Sequence, residues 1–262
     1  MKILSLLFFI MLAIQMNAQE YKVVHVNGNI VAESTKKTIV RGTAFKKSEK
    51  FQYKSNDARA VVINTNAGKR YILKGATSSG FTNANLTPSM GNISSRAGAL
   101  NNRLDLKNHF NGKYVILGQL EVVINSTAFP MSDTQFFYIS YIYQGTVVNK
   151  KLYHKGDTLM INKDSLLKVD GKPIKNEDIM EMKLLYYSRI NGKGTKTIIS
   201  DSFYPVFPDE EELKSEVTII LEAIPKDTDK AEYIADYIND AYGKVNKDNV
   251  AAWYKSNFNP KK

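Results

Sequence analysis

The way the apolar residues are cut up limits which folds are open to this chain. Through most of its length they come in short runs of β-branched and aromatic residues, each closed by a Gly or Asn turn. Helical periodicity enters only near the C-terminus. Residues 21–26 read as a strand, Asn27, Gly28 and Asn29 as a turn, and Ile30 and Val31 as renewed extended chain. Arg41 and Gly42 mark another turn, residues 51–53 alternate, 60–63 form a short buried run, and the turn at 66–68 leads into 70–73. A second block repeats the pattern at 114–124, 134–143, 146–148, 158–161, 166–169, 182–187, 197–199 and 217–221. Gln144-Gly145 and Asp170-Gly171 are its hairpin turns. About eight strands at this spacing predict a β-sandwich.

The period changes after residue 230. Tyr233, Ile234, Tyr237, Ile238 and Tyr242 fall on one stripe at helical spacing, with Thr228 or Asp229 as cap and Gly243 as stop. A second short helix, capped by Asp248, is expected to hold Val250, Trp253 and Tyr254. Residues 75–112 are rich in Gly, Ser and Asn and show no period, so they read as a protease-sensitive linker. The expected fold class is therefore mainly β with a C-terminal helical element. The expected organisation is a signal peptide at 1–18, a small basic barrel-like module at 19–74, a polar linker at 75–112, a β-sandwich at 113–225, and helices packed on the sandwich at 226–262.

The signal-peptide reading rests on Lys2 and a twelve-residue apolar run at 3–14, which is shorter than the ~20 residues a membrane-spanning helix needs. Ala18 is the small residue at the expected cleavage site, and no later segment is apolar enough to span a bilayer. Periplasmic or secreted localisation follows as the expectation. The 262 residues include no Cys, which removes disulfide scaffolds, zinc ribbons, iron–sulfur sites, Cys nucleophiles and a lipid anchor on Cys. An exported chain of this kind must rely on its core.

Charge is unevenly spread along the sequence. Residues 19–80 carry 12 Lys and Arg against 4 Asp and Glu, a net +8, whereas residues 114–262 carry 19 against 21, a net −2. Lys36, Lys37, Arg41, Lys46, Lys47, Lys50, Lys69 and Arg70 form the candidate patch for an anionic partner. The alternative is a solvated lysine face that keeps a small β-module soluble and blunts its edges.

Signals for catalysis are sparse. His25, His109 and His154 show no metal-ligand spacing, and no nucleophile elbow or complete dinucleotide motif is present; Gly192 and Gly194 read as a turn. No catalytic, cofactor-binding or metal-binding residue is assigned, and no cofactor is expected. Asp209, Glu210, Glu211 and Glu212 form a carboxylate cluster that could serve glycoside hydrolysis if its members were differently buried, but Pro208 before it and Leu213 after it fit the first turn of a short helix, which is the better account. Acidic residues at 227–232 lack the frame of a calcium loop and read as a helix start. The aromatic strand 136–143 has apolar residues on both faces, which suits a central strand; an exposed aromatic row would instead stack on sugar rings or a protein. Asp157-Thr158-Leu159 and Asp164-Ser165-Leu166 match a short O-glycosylation acceptor pattern of exported proteins.

The motif Val24-x-Val26-x-Gly28-x-Ile30, followed by Arg41-Gly42, Ala58-x-Ala60-Val61-Val62-Ile63 and Gly68-Lys69-Arg70-Tyr71-Ile72-Leu73, resembles the FecR-like periplasmic β-domain. The resemblance covers residues 19–74 of what looks like a Bacteroidetes-type exported protein. It implies a small binding module with no catalytic residues. Two functions are compatible with these signals. One is an exported, non-enzymatic binding or scaffold protein whose partner is an envelope protein or an anionic glycan. The other is a secreted hydrolase of glycan or peptide with carboxylates in the second domain. Nucleic acid is not an expected partner, because export removes the usual substrate and no recognised motif is present.

Overall fold

The computed structural model describes residues 20–89, 91 and 99–258; the expected signal peptide and part of the expected linker lie outside them. The chain runs in order through β1 (Tyr21–Asn27), β2 (Ile30–Ala32), β3 (Ala44–Phe45), β4 (Lys50–Tyr53), β5 (Arg59–Asn64), β6 (Lys69–Lys74), β7 (Thr82–Asn83) and β8 (Leu86–Pro88). It continues through α1 (Arg103–His109), β9 (Gly112–Val115), β10 (Gln119–Val123), β11 (Gln135–Tyr143), β12 (Thr146–Lys151), β13 (Tyr153–Lys155) and β14 (Thr158–Asn162). After α2 (Lys163–Leu166) come β15 (Lys168–Val169), β16 (Lys172–Pro173), β17 (Ile179–Ile190), β18 (Lys193–Ser200) and β19 (Phe203–Val206). The last elements are α3 (Glu210–Ala223), α4 (Lys230–Ala241), β20 (Lys244–Val245) and α5 (Lys247–Phe258). The protein is mainly β, as its turn-punctuated sequence implies.

The chain divides into two compact units that do not follow its linear order. One comprises residues up to 91 together with 210–230, and the other comprises 92–209 together with 231–262.

In the first unit, a five-stranded antiparallel sheet of order β3-β1-β5-β6-β8 and a three-stranded sheet of order β2-β4-β7 share one core. Tyr21, Val23, Ala60, Val62 and Leu73 enter that core from the larger sheet, and Ile30, Phe51 and Tyr53 from the smaller one. The two sheets do not close into the expected barrel. The opposite face of the larger sheet carries Val24, Val61 and Ile63, all essentially inaccessible to solvent. Helix α3 makes this possible. Leu213, Val217 and Ile220 are buried on one stripe of the helix, which packs on β1 and β5. A β-bulge between Val23 and His25 lets Val24 lie under the helix while His25 reaches Glu216. Gly68 passes so close to the helix exit that a Cβ would lie 2.9 Å from Pro225 and 3.0 Å from the Ala223 carbonyl; its φ is +62°.

Residues 217–221 were expected to be a strand of the second block, and here they are helical and belong to the first unit. Their β-branched content suggested a strand, but Leu213, Val217, Ile220 and Ile224 recur at helical spacing and three acids occupy the first turn. The expected linker also carries structure. It supplies β7 and β8 to the first unit and α1 to the second, with Leu106 fully buried. Each of these pieces is too short to show a period.

The second unit holds a four-stranded antiparallel sheet of order β12-β11-β17-β18, three-stranded sheets β10-β14-β13 and β19-β9-β20, and the β15-β16 hairpin. Strand β9 pairs in parallel with both β19 and β20. The hairpin turns Gln144-Gly145, Asp170-Gly171 and Asn191-Gly192 each place two consecutive residues at positive φ, as two-residue type I′ loops require. Phe137, Ile139, Tyr141, Leu184 and Tyr186 face the core of this unit. Asn246, rather than Asp248, caps α5, accepting from the Asn249 N–H at 2.9 Å.

Two substitutions test this packing. Ile220→Ala leaves a cavity under α3 and is expected to cost about 2–5 kcal/mol in urea unfolding. The Tyr53 hydroxyl is buried without a hydrogen-bond partner among the described residues, so Tyr53→Phe is expected to stabilise by about 1 kcal/mol. A Tyr53→Phe loss comparable to that of Ile220→Ala would show that the hydroxyl is satisfied.

Candidate functional site

The eight basic residues singled out in the sequence do not behave as one group. Lys37, Lys46, Lys47 and Lys69 are exposed and make no ion pair among the described residues. The Lys36 ammonium sits 4.2 Å from the centroid of the Phe81 ring. Lys50 pairs with Glu33 at 3.6 Å. The Arg41 guanidinium donates to the Glu212 carbonyl at 3.4 Å, and Arg70 is 7% exposed and donates to the Ser89 hydroxyl at 3.3 Å. Arg41 and Arg70 therefore contribute to the unit's own structure, and Arg70 is lost to any surface patch.

Lys46 and Lys50 line a cleft of about 470 Å³ with Glu33, Ser34, Ser48 and Glu49. Burial pushes the Glu49 carboxyl up, but hydrogen bonds from the Ser34 hydroxyl and from the backbone N–H groups of Ser34 and Lys50 hold it below the usual carboxylate range. The cleft thus balances two ammonium groups against two carboxylates.

Helix α3 changes the charge of the first unit. Residues 20–91 carry 12 basic and 4 acidic side chains, but residues 210–230 add 3 basic and 7 acidic ones, leaving the unit at +4. Residues 92–262 without 210–230 carry 20 basic and 15 acidic side chains, a net +5. The strong asymmetry along the sequence therefore disappears between the folded units. One ion pair and one hydrogen bond join the acidic helix to the basic sheet: Lys22 to Glu222 at 3.3 Å, and His25 Nδ1 with Glu216 Oε1 at 2.9 Å. Glu216 is 2% exposed, so it depends on its hydrogen-bonding partners.

The carboxylate cluster at 209–212 opens α3, where acids complement the helix dipole, and Glu210 and Glu211 both pair with Lys214. Among the described residues no three or more His, Asp and Glu side chains are grouped to hold a metal ion. His154 Nδ1 lies 3.1 Å from the Gly156 carbonyl, a local turn contact.

His109 is different, and neither its sequence position nor its spacing disclosed it. It lies at the end of α1, 6% exposed, with Nε2 2.8 Å from the Tyr114 hydroxyl. Burial, reinforced by the nearby Lys244 ammonium, lowers its pKa to about 4, so the ring is neutral at pH 7 and the phenol donates to Nε2. Burial raises the Tyr114 phenol, an effect that a hydrogen bond with Asn246 partly offsets. Lys244 donates to the carbonyls of Asn108 and His109 at 2.7 and 2.9 Å, and burial lowers its own pKa. This satisfied polar cluster closes the end of α1 against the β19-β9-β20 sheet.

Strand β11 divides its aromatic residues between two environments. Phe137, Ile139 and Tyr141 are core, whereas Phe136 and Tyr138 lie on the opposite face of the sheet. Compared with known proteins, the chain matches no protein-family model, no curated protein and no solved structure.

The neutral state of His109 predicts a pH dependence. The unfolded chain takes up a proton near 6.5 and the folded one only near 4, so stability falls as pH drops from 6.5 to 4, by on the order of 3 kcal/mol in total. Urea titrations of the wild type and His109→Gln across this range measure it. Parallel pH profiles for the two proteins would contradict the assignment.

Proposed function

We propose that the protein is an exported, non-enzymatic binding or scaffold protein of the bacterial envelope. Its exposed lysines on the first unit engage an anionic glycan or an acidic envelope protein. The observation that carries this reading is that Lys37, Lys46 and Lys47 are exposed and unpaired among the described residues, with Lys46 on the wall of the cleft. Unneutralised cations give long-range attraction that is strong at low salt and screened at high salt. The apolar leader at residues 3–14 supports export, and the FecR-like resemblance of residues 19–74 supports a binding module. Lys69 is the remaining exposed cation with no ion pair among the described residues; Lys36, Arg41, Lys50 and Arg70 are already engaged.

Retention of envelope fractions on the immobilised protein at low and high salt tests the reading. Binding is expected to weaken steeply with salt, and Lys37→Glu, Lys46→Glu and Lys47→Glu together are expected to weaken it about tenfold or more at low salt. Because these lysines make no ion pairs among the described residues, the triple variant should keep its unfolding free energy within about 0.5 kcal/mol. Salt-independent retention, or full retention by the triple variant, would remove the lysines from the binding surface.

A further inference from the structure

The outward face of the four-stranded sheet in the second unit has no assigned role. The register places Tyr138 opposite Leu185, and Leu185 opposite Ile198; in the next row it places Phe136 opposite Tyr187, and Tyr187 opposite Lys196. Phe136 and Tyr187 pack with ring centroids 5.2 Å apart, and Phe136 and Tyr138 with centroids 6.2 Å apart. None of these residues belongs to the core cluster on the other side of the sheet. The tip of the Tyr187 ring lies across Gly194, where a Cβ would come within 2.6 Å of the phenol oxygen. The Arg189 Nε–H donates to that oxygen at 3.2 Å. Glycine at 194 thus leaves room for the ring to lie flat along the sheet.

Cations outnumber carboxylates on this face. Lys151, Lys183, Arg189 and Lys196 occupy outward positions on three of the strands. Asp133 pairs with Lys151, and Glu181, on β17 itself, pairs with Lys183, while Lys196 makes no ion pair among the described residues. Tyr138 and Leu185 are buried, at 7% and 9% exposed, Ile198 is 46% exposed, and the Lys151 ammonium lies 4.7 Å from the Phe136 ring centroid.

We propose that this face is a binding site for an acidic polysaccharide. Sugar rings present flat C–H faces to a ring-lined floor and carboxylates at their margins to a lysine rim, so one ligand uses both halves of the surface. Ser140 and Asn149, paired with each other across β11 and β12, add hydrogen-bonding groups for sugar hydroxyls. Four strands at ~4.8 Å spacing make the floor roughly 15–20 Å wide, enough for several sugar units. The site lies in the second unit and is independent of the lysines of the first.

The test uses the full mature chain and oligomers of alginate, a polyuronate, in titration calorimetry at low salt. Neutral dextran, poly-L-glutamate and oligo-dT serve as controls. Alginate is expected to bind at least about tenfold more tightly than any control. Tyr187→Ala is expected to weaken binding about fivefold to tenfold, and Lys196→Gln about threefold. Gly194→Ala keeps every aromatic residue but displaces the Tyr187 ring, and it should weaken binding as Tyr187→Ala does. Because it adds only a methyl group, it guards against misfolding in the larger truncation. Poly-L-glutamate or oligo-dT binding as tightly as alginate, or no binding of alginate at all, overturns the proposal. So does alginate binding that the Lys37, Lys46 and Lys47 charge reversals abolish and that Tyr187→Ala, Gly194→Ala and Lys196→Gln leave intact.

Discussion

The structure of the first unit depends on one covering contact. Its larger sheet carries apolar side chains on both faces, and the β2-β4-β7 sheet shields only one of them. Val24, Val61 and Ile63 on the other face are removed from water by α3, which the chain supplies about 150 residues after β5. Burying three such side chains is worth roughly 5–8 kcal/mol, comparable to the whole stability of a small domain. Helix α3 thus acts as a layer of the unit's architecture, although it is remote in sequence. The pair between His25 and Glu216, 191 residues apart, fixes the position of the helix on the bulge of β1. A helix that slipped by a turn would lose this contact to the buried Glu216 carboxylate.

The same contact sets the electrostatics. The segment that completes the first unit is the most acidic stretch of the chain, and it docks on a sheet whose strands carry Lys and Arg but no acidic residue. Net charge counted along the sequence therefore overstates the field around the folded unit, since much of the excess is neutralised by α3 and the turn that follows it. Lys37, Lys46 and Lys47 follow β2 and β3 and make no ion pair among the described residues, whereas Lys22 and Arg41 are held by the helix. A functional patch has to be sought in the unpaired remainder, and a count of lysines in a sequence window does not separate the two groups.

Features encoded locally were legible in the sequence. Gln144-Gly145 and Asp170-Gly171 need positive φ at both turn positions, and their flanking runs pair as hairpins. The stripe through Ile234, Tyr237 and Ile238 forms a helix with those residues buried. Features decided by distant contacts were not legible. Val217, Thr218, Ile219 and Ile220 have the side chains of a strand, and only the sheet beneath α3 makes their helical spacing the favourable one. Leu106 and His109 looked like parts of a polar linker because α1 spans only seven residues, too short to reveal a face. The aromatic strand β11 showed that both faces would be apolar, but its register with β17 and β18 is needed to see that lysines and an arginine surround one of them.

The chain's path constrains how the first unit is made. Its eight strands lie before residue 91, yet the helix that covers them is complete only at residue 223. During synthesis the sheet face bearing Val24, Val61 and Ile63 must therefore wait for the whole intervening part of the second unit. An apolar face left open for that time invites strand or face pairing with another chain. The exposed side of the sheet's hydrogen-bonding network is correspondingly guarded. Edge strand β3 is two residues long and β8 three, and β8 ends in Pro88, which cannot donate to a ladder. Short edges and a proline limit edge-to-edge growth while the covering helix is still missing. The lysines just beyond β3, at 46 and 47, add repulsion between copies in the same interval.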